Sequence, residues 1–352
     1  METTMTMTMT KKINLTLPKH WNQCTTEQLE LISRVMQEQL ERQDRYHPFS
    51  MRNVKIAMFF ALSGIQVVGG PNLQDPIEEQ YYTCRLLKDG KHGDTFPLYL
   101  WEINYWLSPR AKTDKKHSAE YMAQGADLLG WLDNERGMYL TKFPYPTVKR
   151  RRSWWRMKKE FQGVLPDMDG FSWAQYRFAT DTMSSYMQLS NSLLQMQQMD
   201  KYGEEQLMEQ AENVDMARSM FLATVFNAKT KFIDTNTGMV KRDFHYESTQ
   251  CTDNMRYFRN FPDYQWQVVL FWWTGMMHTL SRRFPHVFKV QKIDPRKRPS
   301  TPLEIYTATT ATMQKYVGLT EDQVNNQSYS LVLEHLERLS KENEEMEKIR
   351  RK

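Results

Sequence analysis

Residues 171–198 read FSWAQYRFATDTMSSYMQLSNSLLQMQQ, and this stretch decides the fold class. Ser172 followed by Gln175 has the form of a capping box, in which a hydroxyl accepts from the third amide and an amide side chain bonds back to the cap. Trp173, Tyr176, Met183, Met187 and Leu194 then fall on one helical stripe, with Thr180 and Ser190 filling its gaps. After Gly203 the run EEQLMEQAENVDMARSMFLATVFNAKTKF continues in the same manner. Two long helices joined by a short turn is the direct reading.

The same signals recur on either side. Thr25 with Gln28 forms another box, and Leu29, Ile32, Met36 and Leu40 give one apolar stripe, so a helix is predicted from about residue 26 to 43. NVKIAMFFALSG predicts a second helix, ended by Gly64 and the pair Gly69 and Gly70. YYTCRLL is short and strand-like, whereas FPLYLWEINYWL predicts a helix starting near Pro97 and stopping before Pro109. SAEYMAQGADLLGWL is a further, shorter helix, and FIDTNTGMVKRDF a small hairpin or ordered loop. The run WQVVLFWWTGMMHTL, residues 266–280, is too short to span a bilayer, which takes about 20 residues, and is broken by Gln267 and His278; it reads as a buried core helix. Thr320 with Gln323 opens a last segment in which Val332, Leu336, Leu339, Asn343 and Met346 step by four, three, four and three. That is the seam of a short coiled coil, or else the packed face of an ordinary terminal helix.

These readings give a mainly α chain: a multi-helix, bundle-like architecture with a small β-hairpin or irregular insertion and a long C-terminal helix. Five regions follow: a flexible leader over 1–23, with a strand-like arm as the other reading; helical residues 24–136; an irregular basic connection over 137–170; helical residues 171–290; and a linker with C-terminal helices over 291–352. The 40% hydrophobic content supports a sizeable core, and 24 methionines suit irregular cores or adaptable surfaces better than a cofactor site.

Charge narrows the partners. The 47 basic and 42 acidic residues almost cancel at +5, so a polyanion would have to be met by a local patch. One exists: KRRRSWWRMKKEF, residues 149–161, has seven basic residues in its first twelve. Arg150, Arg151, Arg152, Arg156, Lys158 and Lys159 could neutralise phosphates while Trp154 or Trp155 stacks on an unpaired base. The competing reading buries the tryptophans as loop anchors and leaves the arginines in water or beside acidic helices. Lys292, Arg296, Lys297 and Arg298 form a second cluster.

Catalytic signatures are missing. No phosphate loop, dinucleotide fingerprint, His-Glu-x-x-His, Gly-x-Ser-x-Gly or calcium loop occurs. Asp243, His245, Glu247 and Cys251 lie close in sequence but match no zinc spacing, so no metal or cofactor is expected. His278 lacks a nameable partner for general-base work. Cys24, Cys84 and Cys251 form no Cys-x-x-Cys pair, which points to free thiols in a reducing compartment, and METTMTMTMTKK lacks the build of a secretory signal; a cytoplasmic protein is expected, with no membrane partner.

LPKHWNQCTTEQLELISRVM, LTKFPYPTV, FSWAQYRFATDTMSSYM, FPDYQWQVVLFWWTGMMHTLSRRFPHVF and the charged last helix occur in an order that resembles uncharacterised proteins from the morphogenesis regions of tailed phages and prophages of gut bacteria. The resemblance spans most of the chain and rests on apolar and proline landmarks. It implies an accessory or chaperone-like protein of virion or tail assembly, with phage structural proteins as partners; it carries over no catalytic residue. The expectation is a non-enzymatic protein-protein interaction protein, able to oligomerise through its last helix. A nucleic-acid-binding accessory factor and an enzyme with a scattered site are the alternatives.

Overall fold

The structure, a computed structural model, describes residues 3–6, 12–15, 18–41, 49–63, 65–71, 74–76, 79–88, 91–99, 129–133, 140–152, 157–199, 201–233, 238–289 and 302–350. The chain is mainly α. The described residues form nine α-helices and three small antiparallel sheets. They divide into two compact units, Met1–Leu140 with Asp263–Gly275, and Thr141–Pro262 with Met276–Lys352.

The first unit begins with strands β1 (Thr3–Thr6) and β2 (Lys12–Leu15), paired antiparallel, and continues through helices α1 (Thr26–Glu41) and α2 (Met51–Ser63). Thr25 and Gln28 make both bonds of the expected box: the Gln28 amide donates to Thr25 Oγ1 at 3.3 Å, and the Thr25 amide donates to Gln28 Oε1 at 2.9 Å. Leu29, Ile32 and Met36 are buried as the stripe requires, while Leu40 is exposed. Strands β3 (Ile65–Gly69), β4 (Tyr81–Lys88) and β5 (Lys91–Tyr99) form a sheet in that order. β5 corrects one expectation: Pro97 stands opposite Thr83 in an edge strand and does not open a helix. An edge strand tolerates proline because its outward side needs no amide donor. The rest of that predicted helix, most of SAEYMAQGADLLGWL and the second basic cluster lie outside the described residues.

The first part of helix α6 (Asp263–Arg283) belongs to this unit. Its Trp266, Val268, Val269, Trp272 and Trp273 are all buried, which matches the buried helix read from the sequence. Gln267, an oddity in the apolar run, accepts from the buried Ser33 hydroxyl at 3.1 Å. Arg34 lies 4.2 Å above the Tyr264 ring, and Gln265 donates to Glu30 at 2.8 Å, so α1 and α6 meet through polar pairs as well as oil. Gly275 lets the backbone of Leu140 approach: a Cβ there would stand 2.5 Å from Leu140 O.

In the second unit, β6 (Thr147–Arg150), β7 (Lys159–Gln162), β8 (Asn227–Ile233) and β9 (Val240–His245) form one antiparallel sheet in sequence order. The region read as an irregular connection over 137–170 therefore contains a β-hairpin, whereas the β8–β9 hairpin falls where a small hairpin was predicted. The landmark LTKFPYPTV sends Phe143 and Tyr145 into an aromatic core. Phe143 meets Phe226 at 5.2 Å, Phe161 meets Phe258 at 5.0 Å, Phe226 meets Phe258 at 5.2 Å, and Tyr145 meets Phe261 at 6.1 Å. Gly163 fits under this cluster because a side chain there would strike Phe143 and the Tyr145 carbonyl.

Helices α3 (Trp173–Gln197) and α4 (Glu204–Val225) form the predicted up-and-down pair. Ser172 caps α3, accepting from the Gln175 amide at 3.2 Å. The return half of that box is absent, because the buried Gln175 side chain donates instead to Thr224 O at 2.7 Å and Asn227 Oδ1 at 3.0 Å. Helices α5 (Ser248–Met255), α7 (Pro302–Val317), α8 (Glu321–Asn326) and α9 (Tyr329–Arg350) complete the unit. Thr320 and Gln323 form a full box at α8. Trp173, Tyr176 and Tyr329 stack in series at 5.5 and 5.6 Å, and backbone bonds Trp173 N to Gln327 O (2.7 Å) and Tyr329 N to Phe171 O (3.1 Å) tie the starts of α3 and α9 together.

Candidate interaction surfaces

Three surfaces carry the residues singled out in the sequence. The first is the β6–β7 hairpin. Register places Arg150 opposite Lys159 and Lys149 opposite Glu160, so residues 151–158 join the two strands in the sequence. The two flanking cations are spent on the core. Arg150 lies 4.4 Å from the centroid of the Phe261 ring, and Lys159 Nζ donates to Asn254 Oδ1 at 2.9 Å while lying over Phe161 and Tyr257. Burial pushes the Lys159 ammonium below the usual lysine range, against the opposing pull of Asp253. Arg151, Arg152 and Lys158 are exposed, and Met157 is 91% exposed. Trp154, Trp155 and Arg156 lie outside the described residues.

The second surface is the seam of α9. Val332 is fully buried and Leu336 and Leu339 are half-buried, whereas Asn343 and Met346 are exposed. Carboxylates on α9 explain how it is held. Arg283 pairs with Glu334 at 2.7 Å, the amides of His286 and Val287 donate to Glu337 at 3.0 and 2.9 Å, and Lys289 reaches Glu344 at 2.8 Å. His286 Nδ1 also lies 3.3 Å from Glu344. The hydrogen bond from Lys289 holds the Glu344 carboxyl below the ordinary range.

The third surface was only half legible. On α3 the buried residues end at Met183, and on α4 they begin at Ser219. Among the described residues between them, none is buried. At 1.5 Å per residue, each helix continues for about 20 Å past the core. Gln210 bridges the two by donating to Leu189 O at 3.0 Å, and Leu189, Leu193, Leu207 and Val214 are half-buried. Outward they show Met187, Leu194 (55% exposed), Met199, Met208 (65% exposed) and Met216. The helical stripe read from Trp173 to Leu194 is thus core only as far as Met183. Residues 184–218 also hold six acidic and two basic residues, a net of −4.

Chemistry outside these surfaces is sparse. Burial raises all three thiols, Cys24 to about 12 and Cys84 to about 11, so they are protonated and poorly nucleophilic near neutrality. Asp243 is occupied by the Phe244 amide and Glu247 by Thr249 and Gln250, while the Cys251 thiol points at the carbonyls of Ala223 and Glu247. Among the described residues, no three His, Cys, Asp or Glu groups are placed to hold a metal ion, and no helix is long and apolar enough to cross a membrane. No protein-family model matches this chain, and no curated protein or solved structure is significantly similar to it.

Proposed function

We propose that this chain is a non-enzymatic interaction protein, a bundle-like helical scaffold that presents the α3–α4 hairpin to a protein partner. The carrying observation is the hairpin itself: residues 184–218 put five large apolar side chains into water and, among those described, bury none. Exposed apolar groups of this kind mark contact sites, and adaptable methionines suit a surface that meets another protein. The resemblance to phage morphogenesis proteins supports a cytoplasmic accessory role in particle assembly, with a tail or capsid component as the partner. Purification from infected or induced cells tests this. The wild type is expected to bring down a virion structural protein, and Met187→Ser with Leu194→Ser and Met208→Ser is expected to lose at least about tenfold of it, because centrally buried anchors dominate such contacts. Equal recovery with both proteins, or a clean monomer with no partner, refutes the reading.

A second reading uses the basic β6–β7 hairpin for single-stranded nucleic acid. What favours it is the exposure of Arg152, past the end of β6, and of Met157 and Lys158, ahead of β7. Reversal of Arg151, Arg152 and Arg156 to Glu is expected to abolish salt-sensitive binding; no binding by the wild type at low salt ends the idea.

A further inference from the structure

We infer that the hairpin's outer face docks the exposed basic residues at the ends of β6 and β7, Arg152 and Lys158 with Met157, of a second copy of this chain. The inference rests on the proposal that residues 184–218 are a docking surface, and it names the occupant.

Charge selects among occupants. On α4, Glu205, Met208, Glu209, Glu212 and Met216 are all exposed, and their spacing of three, one, three and four places them on one helical stripe. That stripe is apolar in patches and acidic throughout. Two such hairpins facing each other would oppose like charges, which disfavours the symmetric pairing that bare hydrophobic helices would adopt. The occupant must be cationic and carry an apolar side chain.

The chain contains a segment of that description. The described residues 149–152 and 157–159 hold six basic residues and no acidic one. Where β7 begins, Met157 stands almost wholly in solvent beside exposed Lys158, and Arg152, just past the end of β6, is exposed as well. Their neighbours Arg150 and Lys159 are packed on Phe261, Phe161 and Tyr257, which fixes the base of the hairpin that offers them. Met157 meets the Met208 and Met216 positions, while Arg152 and Lys158 meet Glu205, Glu209 and Glu212. The two surfaces differ, so each copy has one of each and the contact is head-to-tail; it closes into a ring or extends as a filament.

The test is a charge exchange followed by sedimentation at low and high salt. One variant carries Glu205→Lys, Glu209→Lys and Glu212→Lys; the other carries Arg152→Glu and Lys158→Glu. All five positions are exposed. The wild type is expected to self-associate at low salt and to dissociate as salt rises. Each variant alone is expected to weaken association at least about tenfold, since like charges across a contact exceed the ~1.4 kcal/mol that a factor of ten represents. Mixed, the variants place opposite charges at both kinds of contact, and association returns to within about threefold of wild type. That recovery cannot arise from misfolded protein. A wild type that stays monomeric, association indifferent to salt and to both variants, or failure of the mixture to recover overturns the inference. If the chain is monomeric yet the Met187, Leu194 and Met208 variant still loses a virion component, the occupant is that component and only this inference falls.

Discussion

Replacing Glu337 by Ala is predicted to release the middle of α9 from the turn that follows α6. The Glu337 carboxylate accepts from the His286 amide at 3.1 and 3.0 Å and from the Val287 amide at 2.9 Å, and its side chain is 20% exposed. A hydrogen bond to a charged group contributes about 1.5–3 kcal/mol net, and leaving an amide unserved in a half-buried site costs a similar amount. Two bonds at the lower end give about 3 kcal/mol for Glu337→Ala. Glu337→Gln keeps one neutral acceptor, and about half of that loss is expected. The chain has two compact units, so a single unfolding curve is a poor measure. Amide hydrogen exchange at Val287 reads the contact directly. Protection there should fall about 100-fold in the Ala variant and about tenfold in the Gln variant. Glu334→Ala is the control: the Arg283–Glu334 pair is more than half exposed on both sides and should contribute under about 1 kcal/mol. If Val287 keeps its protection within about threefold in Glu337→Ala, or loses no more than in Glu334→Ala, the account of how α9 is held is wrong.

Three further outcomes follow from the packing. Gly275→Ala is expected to destabilise by about 1–3 kcal/mol, although alanine is the better helix former, because its Cβ meets the Leu140 backbone; thermal unfolding that shifts upward would contradict this. Glu344 has its folded pKa depressed, so its tether contributes above the ordinary carboxylate pKa and is lost as pH falls through the lowered value. Exchange across residues 340–346, corrected for intrinsic rate, should therefore rise in wild type only as pH falls past the ordinary carboxylate range and show no such step in Glu344→Gln. Cys84 and Cys251 are buried and raised, so a thiol reagent at pH 8 should label both only after unfolding; labelling of the folded protein within minutes would show those sites open.

Helix starts were the most legible feature of the sequence, since Thr25, Ser172 and Thr320 act within four residues of the chain and need no distant partner. Gln175 shows where local reading stops: its box is half made because a carbonyl and an asparagine about fifty positions later take its side chain. The β6–β7 hairpin escaped for a related reason. Each strand has four residues, too few for alternation to register, and Phe161 and Gln162 find their next neighbours at Ala228 and Asn227. Pro97 was misread because a proline that can open a helix serves equally at a sheet edge. The candidate surface was visible as a stripe and invisible as a surface. Periodicity says that Met187 and Leu194 share a face with Trp173; it does not say whether the same chain covers that face.

The place where burial stops at Met183 and resumes at Ser219 has an evolutionary corollary. Matched insertions or deletions of about seven residues in each arm, two helical turns, would change how far the hairpin reaches while keeping its seam in phase and every interior residue in place. Among descendants of a common ancestor, reach is thus a dimension along which such proteins can diverge quickly to suit new companions, while the aromatic centre stays frozen.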